Sequence, residues 1–206
     1  MIIGDVFMSE DKNKLEGTRC NNCPMTLKKC VKKTTSVLNT SVDDKRLKEQ
    51  ILEVSKILYK ENKYLFDKKL QEQCIAAYFW KTFIEKYSGE YIGYDIDIEY
   101  SRFGDKGKAQ SAFFQKNSRK RMRPDMIIHK RGCTFYDFAC IEFKVPWSNA
   151  KCLNNDYKKL KELTDLKGNY KYKYGVSVVL DKNPTLKWFT DGKEYKAQNE
   201  SNDEKL

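Results

Sequence analysis

The sequence predicts an α/β protein with a layered arrangement of helices and strands, and two observations lead to this prediction. Segments of helical and of alternating periodicity follow one another in the order helix, three strands, helix, strand. The 206 residues, 40% of them hydrophobic and 13% aromatic, are enough for one domain with a core. We therefore expect a domain at residues 42–190, an irregular arm or small appendage at 1–41 and a polar tail at 191–206.

Two helical segments open the domain. A capping signal, Ser41 and Asp43, precedes the first segment. Its apolar stripe consists of Leu47, Ile51, Val54, Ile57 and Leu58. The second segment, residues 64–87, is apolar around much of its girth and ends at Ser88-Gly89, a pattern typical of a helix packed on a sheet.

Strict alternation indicates the first strand, at residues 91–100, with its apolar residues on one face. Its acids, Asp95, Asp97 and Glu99, fall on the other face. A solvent-exposed face explains this row of acids more simply than a metal site does. The later elements are two strands, a helix and a last strand, predicted at residues 124–130, 134–147, 154–166 and 172–181. Arg131-Gly132 is expected to form the hairpin turn between the second and third strands.

The chain is strongly basic, with 40 basic and 29 acidic residues and a formal net charge of +11. This excess favours an anionic partner, nucleic acid first and an anionic membrane surface second, although charge alone gives no specificity. The sequence has neither an apolar run of about 18 residues nor a signal-peptide layout. Seven irregularly spaced cysteines favour reduced thiols. We expect a soluble, cytoplasmic protein that binds nucleic acid and no membrane.

Charged residues interrupt two of the apolar strands. Glu142 and Lys144 share one face of the third strand, and Asp125 follows a proline at the start of the second. Glu72 lies beside the apolar stripe of the second helix, where a carboxylate is costly unless it is paired or binds a metal. A surface strand with a same-face ion pair would explain Glu142 and Lys144. Metal-assisted phosphodiester hydrolysis would explain the whole set, since it needs carboxylates for a hard cation and a lysine for the attacking water.

Pro124-Asp125 followed by Glu142-Phe143-Lys144 resembles the signature of the PD-(D/E)xK nuclease superfamily, which has the restriction-endonuclease-like fold. The resemblance covers about residues 65–180. It implies an α-β-β-β-α-β core with a central mixed sheet flanked by helices, and it leaves the N-terminal arm and the first helix as additions.

The resemblance also implies roles for individual residues. Asp125 and Glu142 would be metal ligands for Mg²⁺ or Mn²⁺, with the backbone carbonyl of Phe143 as a further ligand. Lys144 would be the catalytic lysine, and Glu72 would be the acidic residue that many members carry on the first core helix.

Basic residues flank this site in the sequence. The loop before Asp125 contains Lys116, Arg119, Lys120, Arg121 and Arg123. These residues would bind phosphates beside a nuclease site, although a basic loop is more often merely solvated. The helix after the lysine strand adds polar and basic candidates, of the kind that members of the superfamily place there: Asp156, Lys158, Lys159 and Lys161.

Other residues of functional type have simpler explanations than a role in the site. The cysteines of the arm, Cys20, Cys23 and Cys30, offer too few local ligands for a zinc or iron–sulfur site. His129 lies at the end of a strand, where it could contact substrate. Aromatic side chains that could stack on bases, although packing is the simpler role, are Tyr136, Trp147 and Tyr157.

The sequence therefore predicts a Mg²⁺- or Mn²⁺-dependent nuclease, with DNA preferred to RNA as substrate and a homodimer as one option. Two alternatives remain open. One is a nucleic-acid-binding or assembly protein that keeps the nuclease fold without turnover, and the other is an RNA-cleaving defence or toxin effector. The sequence contains no glycine-rich nucleotide-binding loop, so we expect no ATP dependence.

Overall fold

The computed structural model describes residues 42–99, 102–103, 106–107, 123–131 and 137–195. The predicted arm, most of the basic loop and the end of the predicted tail lie outside these residues. The helices of the described part are α1 (Asp44–Glu61), α2 (Lys63–Asp67), α3 (Glu72–Tyr87) and α4 (Ala150–Thr164), with a 3₁₀ turn at Ser88–Glu90. The strands are β1 (Asp95–Ile98), β2 (Arg102–Phe103), β3 (Lys106–Gly107), β4 (Met126–His129), β5 (Ala139–Lys144), β6 (Tyr174–Val179), β7 (Thr185–Thr190) and β8 (Lys193–Tyr195).

Six strands form a mixed sheet in the order β1-β4-β5-β6-β7-β8, and β2 and β3 pair separately. Strands β5 and β6 are parallel, and the other neighbours in this sheet are antiparallel. Parallel neighbours need a crossover connection, which α4 supplies here. The predicted α/β class, a mixed sheet flanked by helices, is confirmed.

Helices α1 and α3 pack on one face of the sheet. Asp43 caps α1 by accepting a hydrogen bond from the Arg46 amide at 2.8 Å. Buried residues of α1 and α3 meet alternate residues of β4, β5 and β6 in one large apolar cluster. Met126, Ile141 and Phe143 therefore point towards α3.

The other face of the sheet is covered by α4. Leu160 and Leu163 pack against Cys140 and residues of neighbouring strands in a second apolar cluster. The helix approaches so closely that a Cβ on Gly175 would lie 2.9 Å from Thr164 Cγ2. Because side chains alternate along β5, Glu142 points to the same face as Cys140, towards α4.

The predicted helix at residues 64–87 is in fact two helices. Lys69 has φ +49°, and the amides of Lys69 and Leu70 donate to the carbonyls of Phe66 and Leu65. This hydrogen-bond pattern is a Schellman motif, which usually has glycine at the left-handed position. Because lysine gives no sequence signal for such a break, the sequence predicts one helix where the structure has two. Helix α3 begins only at Glu72.

The predictions for both ends of the sheet also need correction. Strand β1 is only four residues long, and Ile92 and Ile98, expected on its apolar face, are 59% and 37% exposed. The sequence prediction missed β7 and β8. The predicted tail therefore starts too early, because Lys193–Tyr195 pairs with β7.

Within the part of the chain that the structure describes, no helix has the length and apolar character needed to cross a membrane.

Candidate functional site

Asp125 and Glu142 lie side by side where β4 begins. Met126 pairs with Ile141, so the same antiparallel register extended by one residue sets Asp125 opposite Glu142. Asp125 Oδ2 accepts a hydrogen bond from the Phe143 amide at 2.8 Å. Glu142 is 1% exposed. The two carboxylates predicted as metal ligands are therefore neighbours on one face of the sheet.

Lys144 joins two helices to the end of β5. Its Nζ is 2.7 Å from Glu72 Oε1 on α3 and 2.8 Å from Asp156 Oδ2 on α4. It also donates to the Phe143 carbonyl oxygen at 2.9 Å. These three contacts match the three donors of an ammonium group. Lys144 is therefore buried and firmly held.

A second ammonium contacts Glu142 from α4. Lys159 Nζ is 2.6 Å from Glu142 Oε2, 3.9 Å from Asp156 Oδ1 and 3.3 Å from the carbonyl oxygen of Arg123. Glu142 Oε1 is buried and has no hydrogen-bond partner among the described residues. A buried carboxylate oxygen without a donor is unusual and indicates that a further cation, proton or water belongs there.

Together the side chains carry more negative than positive charge. The acidic cluster, as we call Glu72, Asp125, Glu142 and Asp156, has four carboxylates, and the described residues bring two ammonium groups to it, those of Lys144 and Lys159. Fully ionised, the cluster has two more negative than positive charges.

Burial changes the titration of these groups. It raises the pKa of Glu142 well above its ordinary value, and Lys159 only partly offsets that effect. Burial likewise raises the pKa of Asp125, against the opposing effects of Lys159 and the Phe143 amide. Burial would lower the pKa of Lys144, but hydrogen bonds to Asp156 and Glu72 outweigh it and raise the pKa, so this lysine stays charged. The site therefore favours additional positive charge.

A cavity of about 260 Å³ opens beside the acidic cluster. It is lined by Glu72, Gln73, Ala76, Ala77, Ile98, Glu99 and Asp125. Glu99 adopts φ +49°, and its carboxylate accepts a hydrogen bond from Gln73 and pairs with Arg123. A non-glycine residue in this conformation is strained, and such strain concentrates at functional sites. The cavity gives a small group access to Glu72 and Asp125.

The residues suit a hard divalent cation in chemistry, although they are not gathered into a preformed metal site. Among the residues that the structure describes, no group of three or more His, Cys, Asp or Glu side chains is placed to hold a metal. Mg²⁺, however, commonly takes one or two carboxylates, with water and substrate oxygens completing its shell. Asp125 and Glu142, with the orphaned Glu142 Oε1, supply such a pair.

The residues predicted to bind nucleic acid fall into three groups. Lys158 and Lys161 are exposed on α4, whereas Lys159 is turned into the acidic cluster with 18% of its side chain exposed. Arg123 is exposed and pairs with Glu99 at 3.3 Å. The others lie outside the described residues: Lys116, Arg119, Lys120 and Arg121.

The sequence predicts His129 as a strand-end residue that could contact substrate and Asp97 as part of a solvated face, but the two side chains contact each other and are mostly buried. His129 is 4% exposed, and its Nε2 is 2.9 Å from Asp97 Oδ2. Burial would raise the pKa of Asp97, but hydrogen bonds from Arg131 and His129 outweigh it and lower the pKa. This group lies at the opposite end of β4 from Asp125 and is explained by ion pairing.

The aromatic residues considered for base stacking differ in exposure, and only some of the cysteines lie in the described part of the chain. Trp147 is 38% exposed in the turn that follows Lys144, whereas Tyr157 packs on Phe189, with ring centroids 5.7 Å apart. Tyr136 and the three cysteines of the arm lie outside the described residues. No disulfide joins the cysteines that the structure describes, which are Cys74, Cys140 and Cys152.

Sequence reasoning missed two contributions to the site. Ser148 Oγ lies 3.3 Å from Glu72 Oε2 and so connects the turn after β5 to α3. The pairing of Lys159 with Glu142 was also missed, although a signal existed. Asp156 and Lys159 fall four residues before Leu160 and Leu163, so both lie beside the apolar face of α4.

No protein-family model, curated protein or solved structure matches the chain.

Proposed function

We propose that the protein is a metal-dependent nuclease that hydrolyses phosphodiester bonds, with Mg²⁺ or Mn²⁺ as cofactor and DNA ahead of RNA as substrate. One observation carries the proposal. Among the described residues, Glu72, Glu142 and Asp156 pair with two lysines, Asp125 lies beside them, and the buried Glu142 Oε1 has no donor. A purely structural ion network seldom leaves a buried carboxylate oxygen without a donor.

The order of the elements supports the same proposal. Helix α3, strands β1, β4 and β5 of the main sheet, helix α4 and strand β6 follow one another along the chain. This is the order that the resemblance to the PD-(D/E)xK superfamily implies for a restriction-endonuclease-like core.

Asp125 and Glu142 would hold the metal ion, with the Phe143 carbonyl as a third candidate ligand. The metal, when bound, would make an attacking water more acidic and neutralise charge on the phosphate. Asp125 is already oriented by the Phe143 amide. Lys144 keeps its charge and holds Glu72 and Asp156 in place. Glu72, which is paired with Lys144, lines the cavity, where it would help to orient the attacking water towards substrate.

Binding of the nucleic-acid backbone would fall to basic residues around this site. The exposed Lys158 and Lys161 lie on the same helix as Asp156, and Arg123 lies two residues before Asp125. Their phosphate contacts would supply affinity independent of sequence. The formal net charge of +11 favours the same class of partner.

The test is cleavage of plasmid, single-stranded DNA and RNA in Mg²⁺, Mn²⁺ or EDTA. Wild type is compared with Asp125→Asn, which keeps an acceptor for the Phe143 amide, and with Lys144→Gln, which keeps a donor for Glu72. Glu61→Gln, an exposed residue at the end of α1, is the control. We expect metal-dependent cleavage that each site variant lowers by roughly 10²–10⁴-fold while remaining folded.

The substrate pattern and the variants separate the alternatives. Cleavage of RNA alone would favour an RNA-directed effector. Binding of nucleic acid without cleavage in any metal would favour the non-catalytic alternative. Cleavage that persists in folded Asp125→Asn and Lys144→Gln protein would place the activity elsewhere and refute the site.

A further inference from the structure

Lys159 occupies a position lined by oxygen atoms. Its Nζ has Glu142 Oε2 at 2.6 Å, the Arg123 carbonyl oxygen at 3.3 Å and Asp156 Oδ1 at 3.9 Å. Two carboxylates and a main-chain carbonyl are ligands that hard divalent cations also prefer. The lysine ammonium therefore sits in surroundings that would suit a metal ion.

The two lysines of the cluster are held by different partners. Lys144 is held by Glu72 and Asp156, at the side where Ser148 approaches α3. Lys159 is paired with Glu142, one of the two carboxylates proposed as metal ligands. Of these two lysines only Lys159 contacts a carboxylate proposed as a metal ligand, whereas Lys144 contacts the Phe143 carbonyl oxygen, the third candidate ligand.

We propose that Lys159 is an internal counter-cation for Glu142, and that a divalent metal competes with its ammonium group for this carboxylate. The inference rests on the proposed nuclease function and deepens it. A buried carboxylate without a counter-charge is strongly unfavourable, so the lysine stabilises Glu142 while no metal is bound. A metal at Glu142 Oε1 and an ammonium group at Oε2 would share one carboxylate and repel each other, so binding of the metal would weaken the Lys159 contact.

The side chain has a route out of the cluster. Lys159 lies on a solvent-facing helix with 18% of its side chain exposed, and its four-carbon stem can rotate. Its neighbours on α4, Lys158 and Lys161, are exposed. The displaced ammonium would join them on the surface where a nucleic-acid backbone is expected.

The test is calorimetric titration of the full chain with Mn²⁺ alone. Lys159→Gln removes the charge but keeps an N–H donor for Glu142, and Lys159→Met removes both. Lys151→Gln, an exposed lysine in the first turn of α4, removes the same charge away from the cluster. We expect both Lys159 variants to bind Mn²⁺ at least about tenfold more tightly than wild type, and the control to bind as wild type does.

Two further measurements accompany the titration. The Mn²⁺ concentration for half-maximal cleavage should fall in Lys159→Gln in step with its tighter binding. Thermal unfolding with and without Mn²⁺ should show a larger metal-induced stabilisation in Lys159→Gln than in wild type. The glutamine variant decides the question if the methionine variant does not fold.

The outcomes separate this inference from the proposed function. If wild type cleaves nucleic acid in Mn²⁺ and folded Lys159→Gln binds the metal no more tightly, the inference is overturned and the nuclease proposal stands. Metal binding by the Lys159 variants but not by wild type would support the inference strongly. If neither wild type nor variants bind Mn²⁺ or cleave, the nuclease proposal fails and the inference fails with it.

Discussion

Glu142 and Lys144 are two charged side chains in a strand that is otherwise apolar and wholly buried. Their burial would be prohibitive if either lacked an opposite charge. Each has one, but the two do not pair with each other: Lys144 contacts Glu72 and Asp156, and Glu142 contacts Lys159. Alternation along the strand separates the pair, and α3 and α4 supply their partners.

This arrangement predicts a large stability cost when one partner is lost. Lys144→Met leaves the carboxylates of Glu72 and Asp156 without their shared cation, and we expect a loss of about 3–5 kcal/mol in the free energy of unfolding. Urea denaturation followed by circular dichroism measures it. Lys81→Met, at an ion pair with 65% of the lysine side chain exposed, should change the value by less than about 1 kcal/mol. Equal losses in the two variants would contradict the role assigned to Lys144.

The candidate site could be predicted from sequence only in part, for reasons that lie in the individual residues. Asp125, Glu142 and Lys144 were found because strand alternation and the proline fix their local geometry. The resemblance placed Glu72 in the site. Its contact with Lys144 joins residues 72 positions apart in the sequence, and no spacing rule predicts a contact at that separation. Lys159 was predicted to bind nucleic acid together with Lys158 and Lys161, whereas helical geometry turns it inward to Glu142.

Helix α4 is the element on which the site depends, since it carries both Asp156 and Lys159. Its position over the sheet is set by the close approach of Thr164 and Leu160 to Gly175. Asn149 fixes its beginning by accepting a hydrogen bond from the Cys152 amide at 2.9 Å. Any displacement of α4 would move Lys159 relative to Glu142.

Gly175→Ala tests this packing. Its Cβ would lie 2.9 Å from Thr164 Cγ2, and we expect the free energy of unfolding to fall by about 1–3 kcal/mol because the helix must shift. Gly89→Ala is the control, since nothing lies within 4 Å of a Cβ there. Denaturant unfolding of both variants measures the difference. A Gly175→Ala protein as stable as wild type would show that α4 adjusts freely.

Element prediction succeeded for the most buried strands and failed for the two strands at the far edge of the sheet. Strands β4, β5 and β6 are buried along most of their length, and each was found. Strand β8 is a short sheet edge with the polar sequence Lys-Glu-Tyr, which has no apolar pattern to find. Strand β7 does have alternating apolar residues, Leu186 and Trp188, and was missed despite that signal.

At the scale of the whole molecule, helix α1 is integrated into the core and is not a loose addition. Arg46 of α1 donates to both carboxylate oxygens of Glu90, at 3.0 and 2.7 Å, and Gln50 adds a third hydrogen bond. The hydrogen bonds from Arg46 lower the pKa of Glu90 below its ordinary value of 4.5, against the opposing effect of burial. These contacts fasten α1 to the turn that follows α3.

The Glu90 contacts predict a specific response to acid. Because its folded-state pKa is lowered, Glu90 contributes stability above pH 4.5, and this contribution is lost as the pH falls through the lowered pKa. Glu90→Gln should therefore be less stable than wild type at pH 7 by up to about 1 kcal/mol, after allowance for solvent screening. The difference should vanish once the pH lies below the lowered pKa of Glu90. Urea denaturation across this range measures it, and a difference independent of pH would contradict the assignment.

The hydrogen bond between the Phe143 amide and the Asp125 carboxylate has a practical consequence. Strand β4 begins at Met126, so this amide has a side chain and not a strand as its acceptor. The chemical shift of an amide proton held by a carboxylate depends on the charge and orientation of that carboxylate. A nitrogen-15 spectrum would therefore show events at Asp125 as movement of one backbone resonance. The amide resonance of Phe143 therefore reports on the acidic cluster in the unsubstituted, isotope-labelled protein.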